Sequence, residues 1–97
     1  MTTNANRWEN TPIMSQARRT REYVEGLCTG IAAVAPLLSH DRRTSAGFLA
    51  LCNAARMWHD AAQDLLATLL DGSDYEAERA TERAAREAYL AAEQATR

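Results

Sequence analysis

"FLALCNAARMWHDAAQDLLATLL", residues 48–70, is the stretch that decides the fold. Phe48, Leu51, Cys52, Ala55, Trp58, Ala62, Leu65, Leu66 and Leu69 recur mostly at steps of three or four, the period of an α-helix. Thr44 or Ser45 can cap this helix, and the run "DGSD" at residues 71–74 supplies a glycine stop. Leu51 and Leu65 are expected in its core. Leu49, Met57 and Leu70 lie beside the main stripe, so the apolar face is wide.

On the N-terminal side, Ala17, Val24, Leu27, Cys28, Ile31, Val34, Ala35 and Leu38 repeat the same period. Pro12 or Ser15 can start that helix, and Pro36 should end or kink it. The polar run "SHDRRTS" at residues 39–45 has the length of a helical-hairpin connection. If the chain turns near residue 40, Cys28 and Cys52 fall at one level of an antiparallel pair. Gly26 and Gly30, extended by Ala33, form a small-residue step with two open readings. Either another helix approaches closely there, or the glycines are tolerated at about 1 kcal/mol each relative to alanine.

On the C-terminal side, "SDYEAERATERAAREAYLAAEQATR" (residues 73–97) reads as a helix whose one large aliphatic residue is Leu90. Ser73 or Asp74 can cap it. Ala77, Thr81, Ala84, Ala88, Ala91 and Ala95 form a heptad-like seam, expected to dock by close approach, with Tyr75 and Tyr89 as larger anchors. Glu82 with Arg86, Arg79 with Glu82 and Arg83 with Glu87 are expected as charge pairs on an outer face, worth about 0.2–0.5 kcal/mol each. The expected fold is therefore all-α: an antiparallel helical hairpin plus a third Ala-rich C-terminal helix. The three helices fall at roughly 13–37, 45–71 and 74–96. Residues 1–11, with Trp8, read as a flexible arm, and residues 12–97 as a single helical domain.

Composition narrows the function. Ninety-seven residues make one domain with a modest core, and much of the 46% apolar content is alanine. Net charge is −2, every cation other than histidine is arginine, and no lysine is present, so nucleic acid is an unfavoured partner. The first ten residues lack a signal-peptide core and no stretch suffices to span a bilayer, so a cytoplasmic protein without membrane contact is expected.

No constellation rises to a catalytic signature. Ser39, His40 and Asp41 are adjacent, and adjacent residues cannot form a nucleophile–base–orienter chain. Cys28, Cys52, His40 and His59 match no zinc-ligand spacing. Glu22, Glu25, Asp60 and Asp64 resemble the carboxylate set of the Mg²⁺-dependent all-α nucleotide pyrophosphohydrolases. However, Glu22 lies about 200° from Val24, and Asp60 about 200° from Ala62, so they should point to solvent. No catalytic, cofactor-binding or metal-binding residue is expected, and the chain is expected not to be an enzyme. Trp58 and His59 read as a core ring and its boundary neighbour.

Tyr89 and Glu93, in "YLAAE", resemble the Tyr-x-x-x-Asp/Glu signal of type VII (ESX) secretion substrates, which are helical hairpins of about this size. That family's Trp-x-Gly turn is missing, since residues 39–47 read "SHDRRTSAG". In style, small motif-free helical chains are similar to phage-encoded inhibitors of host machinery, including anti-CRISPR proteins. The reading is a non-enzymatic protein–protein interaction module that covers a partner surface. Arg79, Arg83, Arg86, Arg18 and Arg19 are its candidate contact residues, and a homodimer is expected. A structural homo-oligomer, a type VII substrate and a weak nucleic-acid binder are the alternatives.

Overall fold

The computed structural model describes residues 7–96. It is all-α, with no strand among the described residues. Helix α1 is Pro12–Val34 and runs into a 3-10 turn, Ala35–Leu37. A single-turn α2, His40–Arg43, precedes α3, Ala46–Leu70, and α4 is Glu76–Ala95. α3 packs against both α1 and α4, whereas α1 and α4 scarcely touch each other. The result is an elongated molecule of 58 × 21 × 16 Å with α3 as the hub.

Local chemistry sets the ends. Thr11 caps α1, its hydroxyl oxygen accepting from the Met14 amide at 3.3 Å, and Pro12 follows at the first helical position. Ser39 is spent capping α2, and Ser45 caps α3 through the Phe48 amide. α3 ends as the glycine stop requires. Gly72 sits at φ 77, its amide donates to the Leu69 carbonyl, and the Ser73 amide donates to Thr68. This is a Schellman ending, which places glycine at the left-handed position. α4 starts later than expected. Tyr75 precedes it with no side-chain cap, while Ser73 bonds Asp71 and Asp74 pairs with Arg7. Glu76 and Glu78 in its first turn face the positive end of the helix dipole instead.

Residues 1–6 of the expected arm lie outside the described residues. The remainder packs on the α3–α4 turn. Trp8 donates its indole N–H to the Ser73 carbonyl at 2.8 Å and meets the Tyr75 ring edge-on at 4.9 Å.

Two apolar clusters fill the molecule. Met14, Ala17, Leu65 and Leu69 form one, with Trp8, Ile13, Leu66 and Tyr75 against it. Val24, Ala55, Trp58 and Tyr89 form the other. Leu65 is buried as expected, but Leu51 is only half-buried at the margin of the second cluster. Leu49, Met57 and Leu70 remain exposed beside the α3 stripe.

The expected docking seam of α4 is corrected. Ala77, Thr81, Ala84, Ala88, Ala91 and Ala95 are all exposed. The face against α3 carries Glu82, Ala85 and Tyr89 instead. At about 100° per residue, Ala84 lies about 160° around the helix from Glu82. On α3, by contrast, the small residues Ala55, Ala61 and Ala62 are buried. Leucine at Ala84 or Ala88 is accordingly expected to leave the melting temperature unchanged. Leucine at half-buried Ala85 overpacks the interface and should cost about 1–3 kcal/mol, and thermal melts of the three variants check the ranking.

Gly26 and Gly30 resolve in favour of tolerance. Both are exposed, and a methyl group added at either meets nothing within 4 Å. Gly26→Ala and Gly30→Ala should each raise stability by about 1 kcal/mol through helix propensity and a less disordered unfolded chain. Denaturant titration of the double variant reads the sum.

Candidate interaction surface

The polar centre of the protein is Glu82, 6% exposed and set between the two apolar clusters. Its Oε2 accepts the Trp58 indole N–H at 2.8 Å and lies 3.9 Å from Nη1 of Arg86. A carboxylate in this position needs a charged or donating partner to offset lost hydration, and α3 supplies the indole. Trp58 in turn lies between Tyr23 of α1 and Tyr89 of α4, at 5.8 and 5.5 Å between ring centroids.

Because α1 and α4 meet α3 without closing on each other, a groove of about 110 Å³ runs between them. Leu65 and Ala17 form its floor, Gln16 and Thr20 line the α1 side, and Arg79, Glu82, Arg83 and Arg86 line the α4 side. Three of the five sequence-candidate arginines therefore converge here, not on an outer face. Arg86 is paired with Glu82, but the expected pairs of Arg79 with Glu82 and Arg83 with Glu87 do not form. Arg79 and Arg83 have no ion-pair partner among the described residues. The other two candidates lie elsewhere: Arg18 reaches Glu9 at 3.5 Å, and Arg19 is exposed outside the groove.

A second feature is the end of the α1–α3 hairpin. Leu37 is 83% exposed, Leu49 54% and Val34 48%. Val34 lines a shallow groove of about 440 Å³ together with Leu38, Phe48, Leu51 and Arg42, whereas Leu49 borders a separate groove with Ala50, Cys52, Asn53 and Arg56. Sequence reading flagged Leu49 as lying beside the apolar stripe. It missed Leu37, because the residue after a helix-ending proline carries no periodic signal.

A third groove, about 500 Å³, lies between α1 and α3 and holds both Cys28 and Cys52, the level expected from the hairpin. The Cys28 thiol donates to the Ala55 carbonyl at 3.6 Å. Burial, then the nearby Asp60 carboxylate, push its pKa above the ordinary value, with Arg56 opposing. Tyr89 is pushed up likewise, first by burial and then by Glu93, which accepts its hydroxyl at 3.4 Å. Both groups are neutral when stabilising, so their contribution is full below the ordinary values of 9.0 and 10.0. It is lost as pH rises through the raised folded values. With no lysine in the chain, no ammonium side chain titrates in that range. The melting temperature should therefore begin to fall above about pH 9, and calorimetry across pH 7–11 checks this.

The remaining sequence candidates do not assemble. Glu22, Glu25, Asp60 and Asp64 are all exposed, and among the described residues no three of His, Cys, Asp and Glu come together. Tyr89 is 3% exposed, so the Tyr89–Glu93 pair that resembles a secretion signal has its ring in the core. Among the described residues no helix is long and apolar enough to cross a membrane. No family model, curated protein or solved structure matches the chain.

Proposed function

We propose that this chain is a non-enzymatic protein-interaction module of inhibitor type, which acts by covering a surface of a partner protein. The apolar end of the α1–α3 hairpin carries the reading. Val34, Leu37 and Leu49 are exposed where α1 ends and α3 begins, and Val34 lines a groove with Leu38, Phe48 and Leu51. Burying a leucine-sized side chain is worth about 1.5–3 kcal/mol, so three such anchors supply the core of a specific contact. Exposed large apolar residues gathered within sixteen residues of chain, 34 to 49, favour an interaction site over an idle surface. In its phage-type form, an anti-CRISPR-like inhibitor, the partner would lose activity at one-to-one stoichiometry.

The test pairs affinity capture from the native host with light scattering of the purified chain. Wild type should retain a protein that the Leu37→Asp, Leu49→Asp double variant releases, while both chains keep the same circular dichroism. A purified dimer that the same substitutions disperse would assign the patch to a second copy and overturn the foreign-partner form. Equal retention by wild type and variant overturns the patch itself.

A further inference from the structure

The groove between α1 and α4 is small for a metabolite site, at about 110 Å³ against roughly 300–1,000 Å³ for typical small-molecule pockets. It has room for one or two side chains. Its α4 rim is a line of guanidinium groups at Arg79, Arg83 and Arg86, spaced i, i+4, i+7. Along a helix that is a rise of about 10 Å. Of the three, Arg86 alone is met by a carboxylate among the described residues. Arginine's planar fork binds carboxylates in bidentate fashion and keeps its charge at any working pH.

From this geometry we infer that the α1–α4 groove binds an acidic helical segment of a partner protein, its carboxylates on the matching i, i+4, i+7 face set against Arg79, Arg83 and Arg86. Charge complementarity selects the occupant. An extended polyanion such as nucleic acid meets a chain of net charge −2, with Glu76, Glu78 and Glu87 on the same helix as the arginines. A short segment seated against the groove-lining residues meets Glu82 as the one acid among them. Gln16 and Thr20 opposite give the segment neutral hydrogen-bonding neighbours, and Leu65 and Ala17 an apolar floor for its methylene groups. The inference adds a recognition element to the interaction-module reading and stands on different residues from the apolar end.

The test uses the full chain and a capped alanine-based peptide of about 18 residues, long enough to be helical, with glutamates at i, i+4 and i+7. Fluorescence polarisation of the labelled peptide should show saturable binding that weakens as salt rises from 50 to 500 mM, as expected of about a Debye length's reach. Arg83 is exposed, so Arg83→Glu should stay folded by circular dichroism and bind at least about tenfold more weakly. Arg43→Glu, the same charge change on α2, should bind like wild type. Three results would each overturn the inference: no saturable binding, equal binding by Arg83→Glu, or a short DNA duplex binding more tightly than the peptide with the same Arg83 dependence. Such a failure leaves partner capture through Leu37 and Leu49 untouched, so the two readings fail separately.

Discussion

Trp58→Ala is expected to be the most damaging single substitution in the chain, at about 3–5 kcal/mol. For a domain whose whole stability is on the order of 5–15 kcal/mol, that removes about a fifth or more. The reason is position as much as size. Trp58 is 5% exposed on the hub helix, packs near the rings of both Tyr23 and Tyr89, and donates its N–H to Glu82. Since α4 scarcely contacts α1, much of what holds α4 passes through this ring. Two signatures should therefore accompany the loss: earlier proteolysis within α4, and a lower denaturant slope if α4 separates before the hairpin. Trp58→Phe keeps the apolar bulk but not the donor. It should cost about 1–3 kcal/mol, the penalty for leaving a buried polar group with a poor partner. A midpoint shift for Trp58→Ala equivalent to less than 1 kcal/mol would mean that α4 is held elsewhere.

The hairpin was legible because both of its helices write their burial in apolar residues at helical period. Val24, Ala55, Leu65 and Leu69 all fall on those stripes and all are buried. α4 was legible as a helix but not in its orientation. Hydropathy ranks glutamate as a surface residue and alanine as an interior one, and here the order is inverted. Glu82 is buried because an indole from another helix satisfies it, a partnership no single-helix pattern contains. One signal was present: Tyr75, Glu82 and Tyr89 are spaced by seven, so the two tyrosine anchors already defined the face that includes Glu82. That face excludes the alanine seam. The arginines illustrate the same rotation. Arg79, Arg83 and Arg86 were identified from sequence as charge on an outer face, and turning the helix onto the tyrosine face brings them to the rim opposite α1. The glycines of α1 were ambiguous in principle, because a small residue reads alike whether a neighbour crowds it or nothing does.

Glu82 itself gives the second large effect, and the sizes of its variants separate two forces. Glu82→Ala removes the acceptor for a buried indole N–H, opens a gap between the two clusters and strips Arg86 of its counter-charge. The expected cost is about 2–3 kcal/mol, dominated by the orphaned donor. Glu82→Gln keeps a carbonyl oxygen within reach of Trp58 and removes only the charge. Arg86 is 35% exposed at 3.9 Å, so the ion pair is screened by water and should contribute about 0.5–1 kcal/mol. The expected order is thus alanine well below glutamine, with glutamine near wild type. Denaturant titrations of the two variants, in low and high salt, measure it. If glutamine were as damaging as alanine at low salt and recovered at high salt, the charge would be holding α4 and the hydrogen bond would be secondary. The same substitution tests the groove from the opposite direction. Neutralising Glu82 leaves Arg79, Arg83 and Arg86 without a compensating carboxylate among the residues that line it. Glu82→Gln should therefore bind the acidic peptide more tightly while folding slightly less stably. Stability and binding move in opposite senses because one carboxylate both anchors α4 and offsets the charge of the groove.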